Sequence, residues 1–232
     1  MKPATLLGSL ILASVTPAVI AGGSAPPRPK PTKVSAAPPL AWKPASLELC
    51  PGERSLVELF IPGSARPTPG ALLKVDAGTG LTYEPDKRYK GTVARWGAKL
   101  FPLVRARADA PVGDTTVTAS FGTQSATLKI QVQEPEIRVT TGIRMLTVAV
   151  TNPFKSREIV GRIGAQNKDR FLENVTSRDV KVGPGASQDL VFPLPGAAPV
   201  ESESYDFTFT VQTYQGYKKA SRHSLRFPPH TD

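Results

Sequence analysis

"DTTVTASFGTQSATLKIQV", residues 114–132, sets its apolar residues at alternate positions in two runs that meet across a Gly-Thr pair. Side chains alternate faces along a strand, so each arm of a half-buried hairpin carries its apolar residues at one parity. On the first arm these are Val117, Ala119 and Phe121; on the second they are Ala126, Leu128, Ile130 and Val132. Odd positions must therefore pair with even ones, which requires a loop with an even number of residues. Gly122-Thr123 supplies it, with Gly first as a type II′ turn demands for its positive φ. The predicted pairs are Phe121 with Gln124, Ala119 with Ala126 and Val117 with Leu128.

A second hairpin lies near the C-terminus. In "YDFTFTVQTYQGYKKASRHSLRF", residues 205–227, Tyr205, Phe207, Phe209 and Val211 point one way, and Asp206, Thr208, Thr210 and Gln212 the other. The return arm offers Leu225 and Phe227, also odd, so this loop holds an odd number of residues. Gln215-Gly216-Tyr217 fits, with Gly216 near the left-handed conformation. On this register His223 points inward, across from Phe209. Each half of the chain ends in an antiparallel hairpin, the layout of two tandem domains.

Short β signals split by Gly and Pro fill the rest. "SLELC", "SLVELFI", "ALLKVDAG", "GLTYEP" and "AKLFPLVRARA" precede the first hairpin. "EIRVTT", "MLTVAVTN", "REIVGRIG", "RDVKVG" and "QDLVFPL" precede the second. About seven strands per half, with turn signals roughly every 8–12 residues, predict an all-β protein of two antiparallel Ig-like sandwiches. Nothing reads as a long amphipathic helix. The expected division is a signal peptide at 1–21, a basic Pro-rich spacer at 22–45, sandwiches at 46–133 and 134–227, and a tail at 228–232.

"RADAPVGDTTVTASFGTQSATLKIQV" (107–132) resembles the end of the secreted Ig-like modules of bacterial glycosidases and surface proteins. "LTVAVTNPFKSREIVGRIG" (146–164) and "VKVGPGASQDLVFPL" (180–194) are similar to such modules and to periplasmic pilus-chaperone domains. The resemblance spans nearly all of residues 46–227. Its motifs encode an Asn-Pro turn and a Pro-Gly turn, so it implies the fold and assigns no functional residue.

Met1-Lys2 precedes an apolar run broken by Pro17 and closing on small residues. Val19 and Ala21 occupy the −3 and −1 positions of a signal-peptidase site, which predicts export and a mature chain starting at Gly22. Residues 22–45 contain seven prolines, and carry Arg28, Lys30, Lys33 and Lys43 without an acid. They read as an extended spacer of roughly 70 Å, at about 3.1 Å per residue. Residues 46–133 carry eleven basic and eight acidic side chains, and residues 134–232 thirteen and eleven. Of the net charge of +10, residues 22–45 carry +4, the largest share of any segment and the densest for its length. In an exported chain that points to anionic envelope polymers or lipid headgroups rather than nucleic acid. Cys50 is the single cysteine, so no internal disulfide forms and the thiol reads as a small apolar filler at a strand end.

Titratable groups are sparse where catalysis would need them. His223 and His230 both fall in the last ten residues, against a histidine-based general acid or a two-His metal site. Glu84/Asp86 and Glu201/Glu203 lie in loop-like stretches without glycosidase context, and no phosphate-binding Gly-rich loop is present. No catalytic residue, metal or cofactor is expected. The binding candidates are Tyr214, Tyr217, Lys218 and Lys219, an aromatic-basic tip on the last hairpin, and Trp96 as a glycan-stacking ring. Arg28, Lys30, Lys33 and Lys43 are candidates for envelope attachment, a peripheral contact with membrane or wall. The expected function is a non-enzymatic exported envelope protein engaging a protein or anionic polymer partner. One alternative is a pilus-type assembly chaperone using Leu128-Ile130-Val132 for β-strand addition; another is an accessory module of a secreted hydrolase system.

Overall fold

The computed structural model describes residues 39–63, 72–87, 97–167, 176–194 and 203–228. The expected signal peptide, Arg28, Lys30, Lys33, Trp96, His230 and nearly all of the tail lie outside these residues. Among the described residues there is no helix.

Ten short strands build the first sandwich: β1 (Ala41–Lys43), β2 (Ser46–Leu49), β3 (Arg54–Leu56), β4 (Glu58–Phe60), β5 (Leu73–Ala77), β6 (Leu81–Glu84), β7 (Lys99–Leu100), β8 (Leu103–Ala106), β9 (Gly113–Phe121) and β10 (Gln124–Val132). The hairpin β9–β10 has the register its parity requires: Phe121 faces Gln124, Ala119 faces Ala126 and Val117 faces Leu128. Gly122 has φ +61°, as the first residue of the tight turn must. Strand β5 extends this sheet beside β9, and β2 runs parallel to β10 on the other side. The facing layer pairs β1 with β4 and β4 with β7, and pairs β8 with both β3 and β6. Two stretches that read as single strands are each broken in two. Pro102, which has no N–H to donate, sits in one break, and its carbonyl accepts from Val57 N–H in the other at 3.1 Å.

The first core corrects the expected boundary at residue 45. Leu40 and Trp42, inside the stretch read as spacer, are buried with Leu59, Val104, Val117 and Phe121. The indole N–H of Trp42 donates to Ala126 O at 3.1 Å, and Leu40 N–H to Gln124 Oε1 at 2.8 Å. Proline content hid a two-residue apolar signal too short to show periodicity.

Seven strands build the second sandwich: β11 (Glu136–Gly142), β12 (Met145–Thr151), β13 (Ile159–Asn167), β14 (Thr176–Val182), β15 (Ser187–Pro193), β16 (Ser204–Thr213) and β17 (Lys218–Arg226). One sheet runs β11-β12-β15 and the other β14-β13-β16-β17. Phe207 and Phe209 are fully buried and stack at 6.3 Å, and Phe192 and Phe227 meet them edge-on. Strand β13 passes so close to β16 that a Cβ on Gly161 would lie 2.2 Å from Gln212 O. Only glycine fits there.

The last hairpin turns one residue earlier than predicted. Thr213 N–H bonds to Tyr217 O at 2.9 Å, so the loop is Tyr214-Gln215-Gly216 with Gly216 last, at φ +114°. A three-residue loop ends on its positive-φ residue, and Gly216 takes that place. The odd count survives, so Tyr205 still faces an odd residue, Leu225. His223 now sits opposite Phe207 instead of Phe209, with its ring edge-on to Phe209 at 5.5 Å.

Candidate functional site: a trough along a locked junction

The turn Cys50-Pro51-Gly52-Glu53 links β2 to β3 in the first sandwich, yet Cys50 packs in the core of the second. Glu53 has no exposed surface. Its carboxylate accepts from the Cys50 amide at 2.8 Å, from Arg157 Nη2 at 2.5 Å and from the Thr213 hydroxyl at 2.6 Å. A buried carboxylate survives only when paired and hydrogen-bonded, and here two of the three donors come from the second sandwich. The Arg157 guanidinium also donates to Gln215 and lies 4.0 Å over the Phe154 ring. Beside it, Gly52 and Gly216 meet so closely that a Cβ on either would lie 3.2 Å from the other's carbonyl oxygen.

A second clamp sits one strand away. Glu48 on β2 accepts from the amides of Lys155 and Ser156 at 2.9 and 3.0 Å, and from the Ser156 hydroxyl at 2.6 Å. Those amides are aimed by Asn152. Its Oδ1 accepts from Phe154 N–H at 2.9 Å, and its Nδ2 donates to the carbonyls of Arg157, Val182 and Gly183 at 2.8–3.0 Å. The Asn-Pro turn therefore does more than reverse the chain: it presents two amides to a carboxylate of the other sandwich. Burial pushes the Glu48 carboxyl up, but the Ser156 and Lys155 hydrogen bonds and the Arg157 charge outweigh it and hold the group below its ordinary value. On the far flank Lys219 pairs with Glu134.

Beside Glu48 the outer face of β2-β10-β9 forms a groove of 590 Å³, lined in part by Asp114, Thr116, Lys129, Gln131 and Ser156. On the other side of Glu48 a hollow of 370 Å³ continues past Arg54, Ser55, Arg157 and Gln215. Together they make a trough of mixed polar and apolar lining along the junction, with carboxylate, ammonium, amide and hydroxyl groups in reach of one extended ligand.

The predicted site residues are scattered. Tyr214 is 66% exposed, whereas Tyr217 is 2% exposed and belongs to the second core. The expected aromatic-basic tip is corrected accordingly: the one-residue loop shift turns Tyr217 inward, burial raises its phenol well above the usual range, and Lys219 is spent on Glu134. Lys218 stays exposed, as does Lys43 at the end of β1. The strand proposed for lending is not free. Leu128, Ile130 and Val132 are buried in their own core, and β10 is flanked by β2 and β9. Cys50 is the filler expected: burial, then the Glu53 charge, push its thiol up, and it stays protonated. His223 is a packed ring within 3.1 Å of Ser221 Oγ. Asp86 accepts from Phe101 N–H at 2.9 Å and Glu203 from the Tyr205 hydroxyl at 3.0 Å. Among the described residues no group of three His, Cys, Asp or Glu side chains is placed to hold a metal. Sequence reasoning missed Glu48, Glu53 and Arg157 altogether, because partners 104 or more residues apart leave no local signal.

No family model matches the chain, and neither does any curated protein sequence. Among solved structures it is similar to domains 5–6 of the S-layer protein SbsC, at 11% identity over 84% of this chain and 99% of that one, with a TM-score of 0.32. The CupB2 chaperone of Pseudomonas aeruginosa shows 10% identity over 79% of this chain and 100% of that one, with a TM-score of 0.29. The D0-D1 domain of intimin shows 9% identity over 83% and 99%, with a TM-score of 0.28. At such scores these likenesses carry no weight beyond themselves.

Proposed function

We propose that this chain is an exported, non-enzymatic envelope protein whose two Ig-like sandwiches act as one rigid body and present the junction trough to a protein or anionic polymer partner. The observation that carries the reading is the buried Glu53–Arg157–Thr213 bond set, which ties the sandwiches together. A pair already fixed in one orientation loses little further freedom when a ligand spans it, and that preorganisation favours binding. The signal-like N-terminus supplies export, and Arg28, Lys30, Lys33 and Lys43 supply weak, salt-sensitive attachment of about 1 kcal/mol each at most. The strand-lending chaperone reading loses its support, because its strand is already paired on both sides.

The test is saturable sedimentation of the mature chain with isolated envelopes of the producing cells. Lys129→Glu with Gln131→Ala should weaken retention at least about tenfold, the loss of one or two charge-assisted contacts, with the melting temperature unchanged. Retention identical to wild type would remove the trough from the binding surface. A membrane-bound protein that begins at Met1 instead of Gly22 would replace the cleaved signal peptide with a signal anchor.

A further inference from the structure

Of the strands left bare on one side among the described residues, β17 is the longest, at nine residues. Antiparallel strands alternate which residues bond to the neighbour. Thr213 bonds to Tyr217, so the odd residues of β17 bond to β16, and Lys218, Ala220, Arg222, Ser224 and Arg226 turn their N–H and C=O groups away. The carbonyl of Arg226 accepts from the Thr141 hydroxyl at 2.9 Å on that outer side. This confirms the direction and closes that end. From Lys218 to Ser224 the outward backbone groups have no partner among the described residues.

Residues 218–226 contain four basic side chains and no acid. Lys218 and Arg222 lie on the solvent face of the sheet, four residues apart, and make no ion pair among the described residues. On the core side Ser221, His223 and Leu225 are only half covered at the open flank. Cations along a bare edge are also a means of keeping strands off, but this edge carries neither proline nor bulge, and its inward positions bear no charge below Lys219. We propose that the open edge of β17 takes an extended acidic segment of a partner protein as an added strand, with acids opposite Lys218 and Arg222 and apolar residues over Ser221 and His223. The inference rests on the pair being a binding module and names its partner class. It lies apart from the trough.

The probe is a fluorescein-labelled peptide, Val-Glu-Val-Thr-Val-Glu-Val, titrated with the mature chain; its control carries Lys in place of Glu. The acidic peptide should bind saturably, and the Lys peptide at least about tenfold more weakly. Ala220→Pro deletes an outward N–H without touching the β16 ladder, which an edge strand tolerates; it should abolish binding while leaving trough-dependent sedimentation intact. Should that variant fail to fold, peptides N-methylated at alternate amides read the same edge from the other side. One set of methyl groups should block binding and the other should not. Binding that survives both Ala220→Pro and both methylation sets would overturn the proposal, as would no binding of the acidic peptide. In the second case the cations act only to repel strands, and normal sedimentation would leave the envelope-binding reading standing.

Discussion

At the scale of single residues the junction is decided by three charges. Arg157 is the only one of them on the second sandwich, and its side chain is 19% exposed against none for Glu53. Replacing it with Met keeps most of the volume over Phe154 but strands a buried carboxylate. That should cost about 3–5 kcal/mol, the penalty of an uncompensated buried charge. Urea melts of the single variant check the value, and the Arg157→Met/Glu53→Gln double variant should recover part of the loss. Glu48 adds a pH dependence of definite sign. Its folded value lies below the ordinary 4.5, so its contribution is complete above 4.5 and fades as pH falls through the lower folded value. Stability against urea should therefore fall as pH drops below about 4.5 in wild type, and the part due to this clamp should vanish in Glu48→Gln. A wild type and a Glu48→Gln variant with parallel acid profiles would show that the clamp contributes nothing.

At the scale of strands, parity was the legible quantity. Alternation set the β9–β10 register from the letters alone, because a two-residue loop and a buried face leave one solution. The last hairpin shows the limit. Gly216 admits a three-residue loop in two positions, both of odd count, and the choice is made by packing Tyr217 into the second core. Breaks at Val57 and Pro102 and the edge contact of Trp42 were likewise settled by tertiary neighbours. The junction was not legible at all, since Glu53 and Thr213 stand 160 residues apart. The strand most exposed to a test is β16. Phe209 is fully buried against Phe192, Phe207 and His223. Phe209→Ala should destabilise the second core by about 3–5 kcal/mol, the transfer and cavity cost of a large ring. Loss of near-ultraviolet dichroism at a lower temperature would report it.

At the scale of the whole molecule, the placement of Cys50 turns it into a clock. The thiol belongs to the chain that builds the first core but rests inside the second, with no exposed surface. No reagent reaches it in the closed, folded state, so each alkylation event must wait for the two bodies to part or for the second core to open. With a thiol reagent in excess and reclosure fast, the labelling rate divided by that of a free thiol equals the fraction of time spent open. In wild type the modification should take place orders of magnitude more slowly than on an unfolded chain. Arg157→Met should speed it tenfold for every roughly 1.4 kcal/mol of junction free energy it removes, about 150-fold or more for a 3 kcal/mol loss. Phe209→Ala should speed it only to the extent that the second core unfolds as a unit. A native protein with one cysteine thus carries its own gauge of how large a share of its time the junction stands open, with no label to engineer.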